Sequence, residues 1–191
     1  MWKIDIEADG RWVERDAERR FALEATFGGP RLRLVLPRSL PHLIRELSGD
    51  LQEPFQLLYL LHTPRGEGPK GRYQSPRLSR IDLDAFLFRY GGFLAGDARH
   101  DLWIRSAHSN TVVVWDRHND VYLYDAPPSV VERLTTLGFR EAELEPLGAH
   151  THHYRAEFDR DAREVLTAFQ WTWTTLRPED EQYVPPVAND H

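Results

Sequence analysis

The stretch TVVVWDRHNDVYLY, residues 111–124, indicates the fold class. Both of its ends consist almost entirely of β-branched and aromatic residues, which favour strands. Its centre, from Asp116 to Asp120, is polar and typical of a turn. The stretch therefore predicts two strands joined as a hairpin, and Leu102-Trp103-Ile104 predicts a further strand ahead of them.

The same kind of pattern recurs on either side of this hairpin. Residues 21–25 alternate apolar and polar side chains, and residues 32–36 resume the alternation after a Gly-Pro break, which predicts a second hairpin. Residues 142–147 and 151–158 predict two more strands, paired with each other. Apolar residues at helical spacing predict helices over 39–47, 82–94, 127–137 and 159–176.

Hairpins interrupted by single helices are typical of the α+β class. We expect mostly antiparallel sheets formed by hairpins, with about four interspersed helices, in a single domain over residues 1–177. The Gly- and Pro-rich loop at 64–80 is a candidate boundary within it, and the acidic residues 178–191 are expected to form a flexible tail. Gly91-Gly92 predicts a kink or an early end of the second helix, since each glycine costs about 1 kcal/mol in a helix.

Composition excludes several classes of function. The 191 residues contain no cysteine, so thiol nucleophiles, disulfides and cysteine-ligated metals are absent. The net charge of −6 argues against broad nucleic-acid binding through a phosphate-neutralising surface. No apolar run reaches the length of a membrane span and the N-terminus lacks a signal-peptide core, so we expect a cytoplasmic protein without membrane contact.

Three of the nine histidines lie within residues 150–153, the segment His-Thr-His-His. In a strand, side chains alternate, so His150 and His152 would share one face and His153 would lie on the other. Two imidazoles on one face, with Glu157 nearby, are ligands that a divalent metal ion accepts. Either His118 or Asp116, from the turn at 116–120, is a candidate to complete the site across neighbouring strands.

The spacing His150-x-His152-x4-Glu157 resembles the first metal motif of the cupin family. The resemblance covers about ten residues and implies a metal held by the two histidines, the glutamate and a later histidine. The chain departs from the family pattern at its flanking glycines, because Gly148 is too close to His150 and position 164 is Glu164. A second motif is also missing downstream. The opposing interpretation of these histidines is structural, with rings that cap turns and stack on aromatic side chains.

Two further features are candidate binding sites. The loop at 64–80 carries Arg65, Lys70 and Arg72 in an otherwise acidic chain, which suits an anion or an acidic partner, although a solvated loop is the simpler explanation. Trp171 falls off the apolar stripe of the predicted last helix. This position predicts either an interface residue or a helix buried between two layers.

We interpret the chain as a small non-catalytic protein-interaction module, because no nucleophile set is recognisable in an otherwise full-sized domain. By analogy alone, small acidic proteins of this kind include immunity proteins that neutralise toxins. Another protein or a second copy of the chain is the expected partner. The alternative is a metal-dependent enzyme, or a metal or ligand sensor, that uses His118, His150, His152 and Glu157, with a divalent metal as its cofactor.

Overall fold

The computed structural model describes residues 2–26, 29–40, 42–49 and 51–180. The strands in this part of the chain are β1 (Ile4–Ala8), β2 (Arg11–Glu14), β3 (Arg20–Thr26), β4 (Gly29–Val35), β5 (Phe55–Leu61), β6 (Gly71–Gln74), β7 (His100–Ser106), β8 (Val112–Trp115), β9 (Asp120–Tyr124), β10 (Arg140–Glu141), β11 (His150–His152) and β12 (Thr172–Thr174). The helices are α1 (Leu43–Leu47), α2 (Arg80–Gly96), α3 (Pro128–Thr136) and α4 (Asp159–Val165), and short 3-10 turns cover Ala156–Phe158 and Pro178–Asp180.

The strands form two sheets. The large sheet has nine strands in the order β10-β3-β4-β9-β8-β7-β5-β6-β12, and the small sheet has three in the order β11-β1-β2. Every pairing is antiparallel except the parallel contact between β10 and β3. The α+β class predicted from the sequence is confirmed, and β8 and β9 pair as the hairpin that residues 111–124 predict.

The helices and one face of the large sheet share one hydrophobic core. Phe55, Leu57, Tyr59 and Leu61 alternate along β5 and are fully buried in this core, which also contains the inward side chains of α2. Helix α2 begins at a capping box, in which the Ser79 hydroxyl accepts from the backbone N–H of residue 82 and the carboxylate of that residue accepts from the Ser79 N–H. The predicted early end at Gly91-Gly92 is wrong, because α2 continues to Gly96.

Two other predictions near the C-terminus are wrong. The last helix ends at Val165 instead of Leu176, and residues 172–174 form strand β12 on the edge of the large sheet. The predicted pairing of 142–147 with 151–158 is absent, because residues 142–147 form no strand. Strand β10, just ahead of them, pairs with β3, and β11 pairs with β1. Short polar strands carry little periodic signal, and their partners lie far away in the chain.

The small sheet holds the turn between β8 and β9. Lys3, which is completely buried, donates from Nζ to the carbonyl of Asp116 at 2.7 Å and lies 4.8 Å from the centre of the Trp115 ring. Arg15 donates to the carbonyl of His118 and to the carboxylate of Asp120, each at 2.9 Å. These buried charges have partners, as burial requires, and they fix the turn against β1 and β2.

The described residues end with a short turn that contacts the large sheet. Asp180 is buried in this turn and its carboxylate accepts from the guanidinium of Arg72 in β6. Most of the predicted acidic tail, residues 181–191, lies outside the described residues. Within the described ranges, no helix combines the length and apolar character that crossing a membrane requires.

Candidate metal centre

The register of β1 and β11 places two histidines on one face of the small sheet. His150 lies opposite Ile6 and His152 opposite Ile4, and directly paired residues project to the same side. His153 follows, and its ring lies on the other side, 3.1 Å from the carboxylate of Asp5. The alternation predicted for the histidine segment is therefore present.

His118 joins this pair from the large sheet. It lies in the turn between β8 and β9, and its ring centre is 5.1 Å from that of His150 and 5.0 Å from that of His152. One ring nitrogen from each histidine lies within 4.8 Å of the others. Residues more than thirty positions apart in the sequence thus meet because the small sheet lies against the turn.

Hydrogen bonds indicate which nitrogen of each ring is available to bind a metal ion. Nδ1 of His118 lies 3.0 Å from Oδ2 of Asp116, and Nδ1 of His150 lies 2.9 Å from the carbonyl of Gly148. Both acceptors require a proton on Nδ1, so the lone pair of each ring is on Nε2. Nε2 of His152 is buried and has no hydrogen-bond partner among the described residues. Among the described residues, no protein group donates a hydrogen bond to any of the three Nε2 atoms.

The environment of His152 favours its neutral ring. Burial, and then the neighbouring His118 and His150, lower the pKa of His152 to about 4. Although burial opposes ionisation of Asp116, its hydrogen bonds and attraction to His118 hold the pKa of this carboxyl below its ordinary value. Neutral imidazole is the form that binds a metal ion, and an ionised carboxylate behind a histidine is the usual orienting partner of a metal ligand.

The size of the cluster fits a zinc ion. Zinc bound to imidazole at about 2.0–2.1 Å in tetrahedral geometry requires nitrogens about 3.4 Å apart. The three nitrogens are at most 4.8 Å apart, so small side-chain rotations suffice to close the site. His150 and His152 are only partly buried, which leaves one side of the cluster accessible.

A second group, Asp116, His118 and Asp120, also brings its donor atoms within 4.8 Å of one another. Both carboxylates of this group already form ion pairs or hydrogen bonds with other protein groups. Asp120 forms ion pairs with Arg15 and Arg33, and Oδ1 of Asp116 accepts the backbone N–H groups of residues 118 and 120. We therefore infer that these carboxylates stabilise the turn and orient His118.

A cavity of about 460 Å³ lies next to the residues that precede His150, and none of the three histidines is among its lining residues. Its lining includes Gly148 and Ala149, which directly precede His150, and Arg15, which donates to the carbonyl of His118. A molecule bound in this cavity would therefore contact the segment that leads into β11.

The other residues singled out in the sequence lie away from the cluster. Glu157 is exposed in the 3-10 turn after β11, because the strand ends at His152, and its carboxylate is not among the donors that converge there. Trp171 packs on the protein's own core, with its ring 5.3 Å from that of Phe169 and its Nε1 donating to the carbonyl of Val165. An interface at Trp171 stays a prediction, although this packing accounts for the side chain.

The three basic side chains singled out in the loop at 64–80 all have partners within the chain. Arg65 pairs with Asp159, Arg72 pairs with Asp180, and Lys70 also has an interaction partner. Anion binding at this loop stays a prediction. The sequence also failed to indicate the layer behind the metal candidates, where Lys3 and Arg15 hold the turn, since isolated charged residues near an N-terminus give no such signal.

No protein-family model matches this chain, and no match was found among curated proteins or solved structures.

Proposed function

We propose that His118, His150 and His152 bind a divalent metal ion, zinc by preference, and that the protein is a metal-dependent enzyme. The observation that carries the proposal is the convergence of three imidazoles whose Nδ1 atoms, in His118 and His150, already have acceptors. A histidine that serves as a ligand commonly donates its second nitrogen to a carboxylate or carbonyl in this way.

Catalysis is favoured over a purely structural role by the number of ligands. Structural zinc sites close with four protein ligands, whereas catalytic sites keep one position for water or substrate. Three histidines converge here, and His150 and His152 are only partly buried, which leaves room for a fourth ligand from solvent. A zinc ion in such a site would lower the pKa of a bound water to about 7 and supply a nucleophile for hydrolysis or hydration.

Metal content and affinity test the site. The purified protein should take up one equivalent of zinc, measured by elemental analysis after dialysis. The variants His118→Ala, His150→Ala and His152→Ala should each lose it while they keep the thermal transition of the apo protein. His108→Ala is the matched control, since this exposed loop histidine lies outside the cluster. Equal zinc uptake by all four variants would reject the site.

A cobalt-substituted protein tests the open position. Azide or acetohydroxamate should change the visible absorption of the bound cobalt if a coordination position is free. An unchanged spectrum with stoichiometric cobalt bound would mean a closed site. That result would leave metal binding in place and reject the catalytic role.

Protein interaction, the second candidate function, is favoured by the exposed face of α2. Ile81 and Phe88 are 79% and 78% exposed, and with Ala85 they occupy positions i, i+4 and i+7 of one helical face. Large apolar side chains repeated along an exposed stripe are typical of contact surfaces. We infer that this stripe contacts a second copy of the chain.

The oligomeric state tests this contact. Sedimentation analysis at 100 µM should detect a dimer that Phe88→Glu converts to monomer. Leu23→Glu, at an exposed apolar residue of β3, is the control and should leave the dimer unchanged. A monomeric wild-type protein at this concentration would exclude the contact.

A further inference from the structure

The large sheet has a second face, opposite to the core, and its middle contains a cavity of about 330 Å³. The strand register shows how its floor is built. Trp103 lies directly opposite Leu58 on one side and Val114 on the other, and Leu58 lies opposite Gln74. Directly paired residues share a face, so these side chains form one row across four strands with the indole ring in it.

A second row and a loop complete the walls. Gln56 lies opposite Arg105, and Arg105 lies opposite Val112, in the row next to that of Trp103. Asn110, from the connection between β7 and β8, also lines the cavity. The cavity thus combines an apolar, aromatic floor with polar side chains around it, which is the usual composition of a small-molecule site.

Four polar side chains of this cavity have no partner within the described part of the chain. Gln56, Gln74 and Asn110 make no side-chain hydrogen bond there, and Arg105 makes neither a hydrogen bond nor an ion pair. Arg72, which also lines the cavity, differs because it pairs with Asp180. The cavity therefore offers one uncompensated guanidinium and three amides, each of which can donate and accept.

From this arrangement we infer that the cavity binds a nucleoside monophosphate, in a site separate from the three histidines. The Trp103 ring provides a surface on which a base stacks. The amides of Gln56, Gln74 and Asn110 suit the donor and acceptor edges of a base. Arg105 supplies the cation for the phosphate, since a guanidinium matches that group in a bidentate manner. The net charge of −6 disfavours a long polyanion and so favours the free nucleotide.

Calorimetric titration with AMP, GMP, CMP and UMP, in EDTA so that no metal contributes, tests the proposal. At least one nucleotide should bind and should shift the Trp103 indole resonance in an NMR spectrum. Arg105→Gln should weaken that binding about tenfold or more, since it removes the charge-assisted contact. It should not change binding of the corresponding nucleoside, which has no phosphate.

Two comparisons make the result decisive. Arg105 is exposed, so Arg105→Gln should fold normally. Arg163→Gln, which replaces an exposed arginine of α4, is the control and should bind like the wild type. The proposal is overturned if no nucleotide binds at 5 mM or if Arg105→Gln behaves like the control. It is also overturned in favour of single-stranded RNA if the hexamer A6 binds more than tenfold more tightly than AMP.

Discussion

At the scale of single residues, His100 is the side chain whose burial has the clearest consequence for stability. It is completely buried between the rings of Tyr59 and Phe93, whose centres lie 5.0 and 4.6 Å from its own. Burial, and then the nearby charges of Lys3 and Arg99, hold its pKa well below the usual value, and a backbone contact with Leu94 offsets only part of this.

As the pH falls through about 6.5, the unfolded chain therefore binds a proton at His100 that the native protein does not bind. The free energy of unfolding should consequently fall as the pH drops below 6.5, with a slope from this residue of up to about 1.4 kcal/mol per pH unit. His100→Phe should lose that part of the slope. Urea unfolding between pH 5 and 7.5, with EDTA present, measures it, and the exposed His108→Phe should behave like the wild type.

Asp116 acts on a proposed metal ligand without binding the metal itself. Its carboxylate lies 3.0 Å from Nδ1 of His118 and so orients this ring. Asp116→Asn keeps the shape but loses the charge, and we expect zinc affinity to fall about 10- to 100-fold. Competition with a chromophoric chelator measures this. Asp120→Asn is the comparison, because an equally large loss there would favour the second donor group over the three histidines.

At the scale of elements, the edge strand β12 depends on a glycine in its neighbour. A Cβ atom added at Gly71 would lie 2.2 Å from Nε1 of Trp173 and 2.7 Å from the carbonyl oxygen of Thr174. Gly71→Ala should therefore force β12 away from β6 and lower the free energy of unfolding by about 1–3 kcal/mol. Gly92→Ala, in open space on α2, should instead raise it by about 0.5–1 kcal/mol. If both substitutions shifted the urea midpoint in the same direction, this explanation would be wrong.

The same elements show what sequence reasoning can and cannot reach. Local signals predicted the β8–β9 hairpin and α2, because each is defined by its own periodicity and by its turn or cap. Strands β10, β11 and β12 have at most three residues, and distant pairing decides them. For the site, alternation predicted the shared face of His150 and His152. Glu157 was included as a nearby carboxylate at the spacing of the cupin motif, and the 3-10 turn after β11 places it away from the cluster.

At the scale of the whole molecule, the three histidines connect the two sheets. His150 and His152 belong to the small sheet, and His118 belongs to a turn of the large one. A metal ion bound by all three would therefore crosslink the sheets at the point where Lys3 and Arg15 already fix the turn.

Metal binding should consequently stabilise the folded protein as a unit. An ion that binds only the native state at one hundred times its Kd adds about 2.7 kcal/mol. For a chain of this length that corresponds to a rise in Tm of about 5–10 °C. Zinc should produce this rise in the wild type and in His108→Ala, and EDTA should reverse it. In His150→Ala, where the small sheet loses a ligand, zinc should leave Tm unchanged; an equal rise there would mean that the ion binds elsewhere and does not join the sheets.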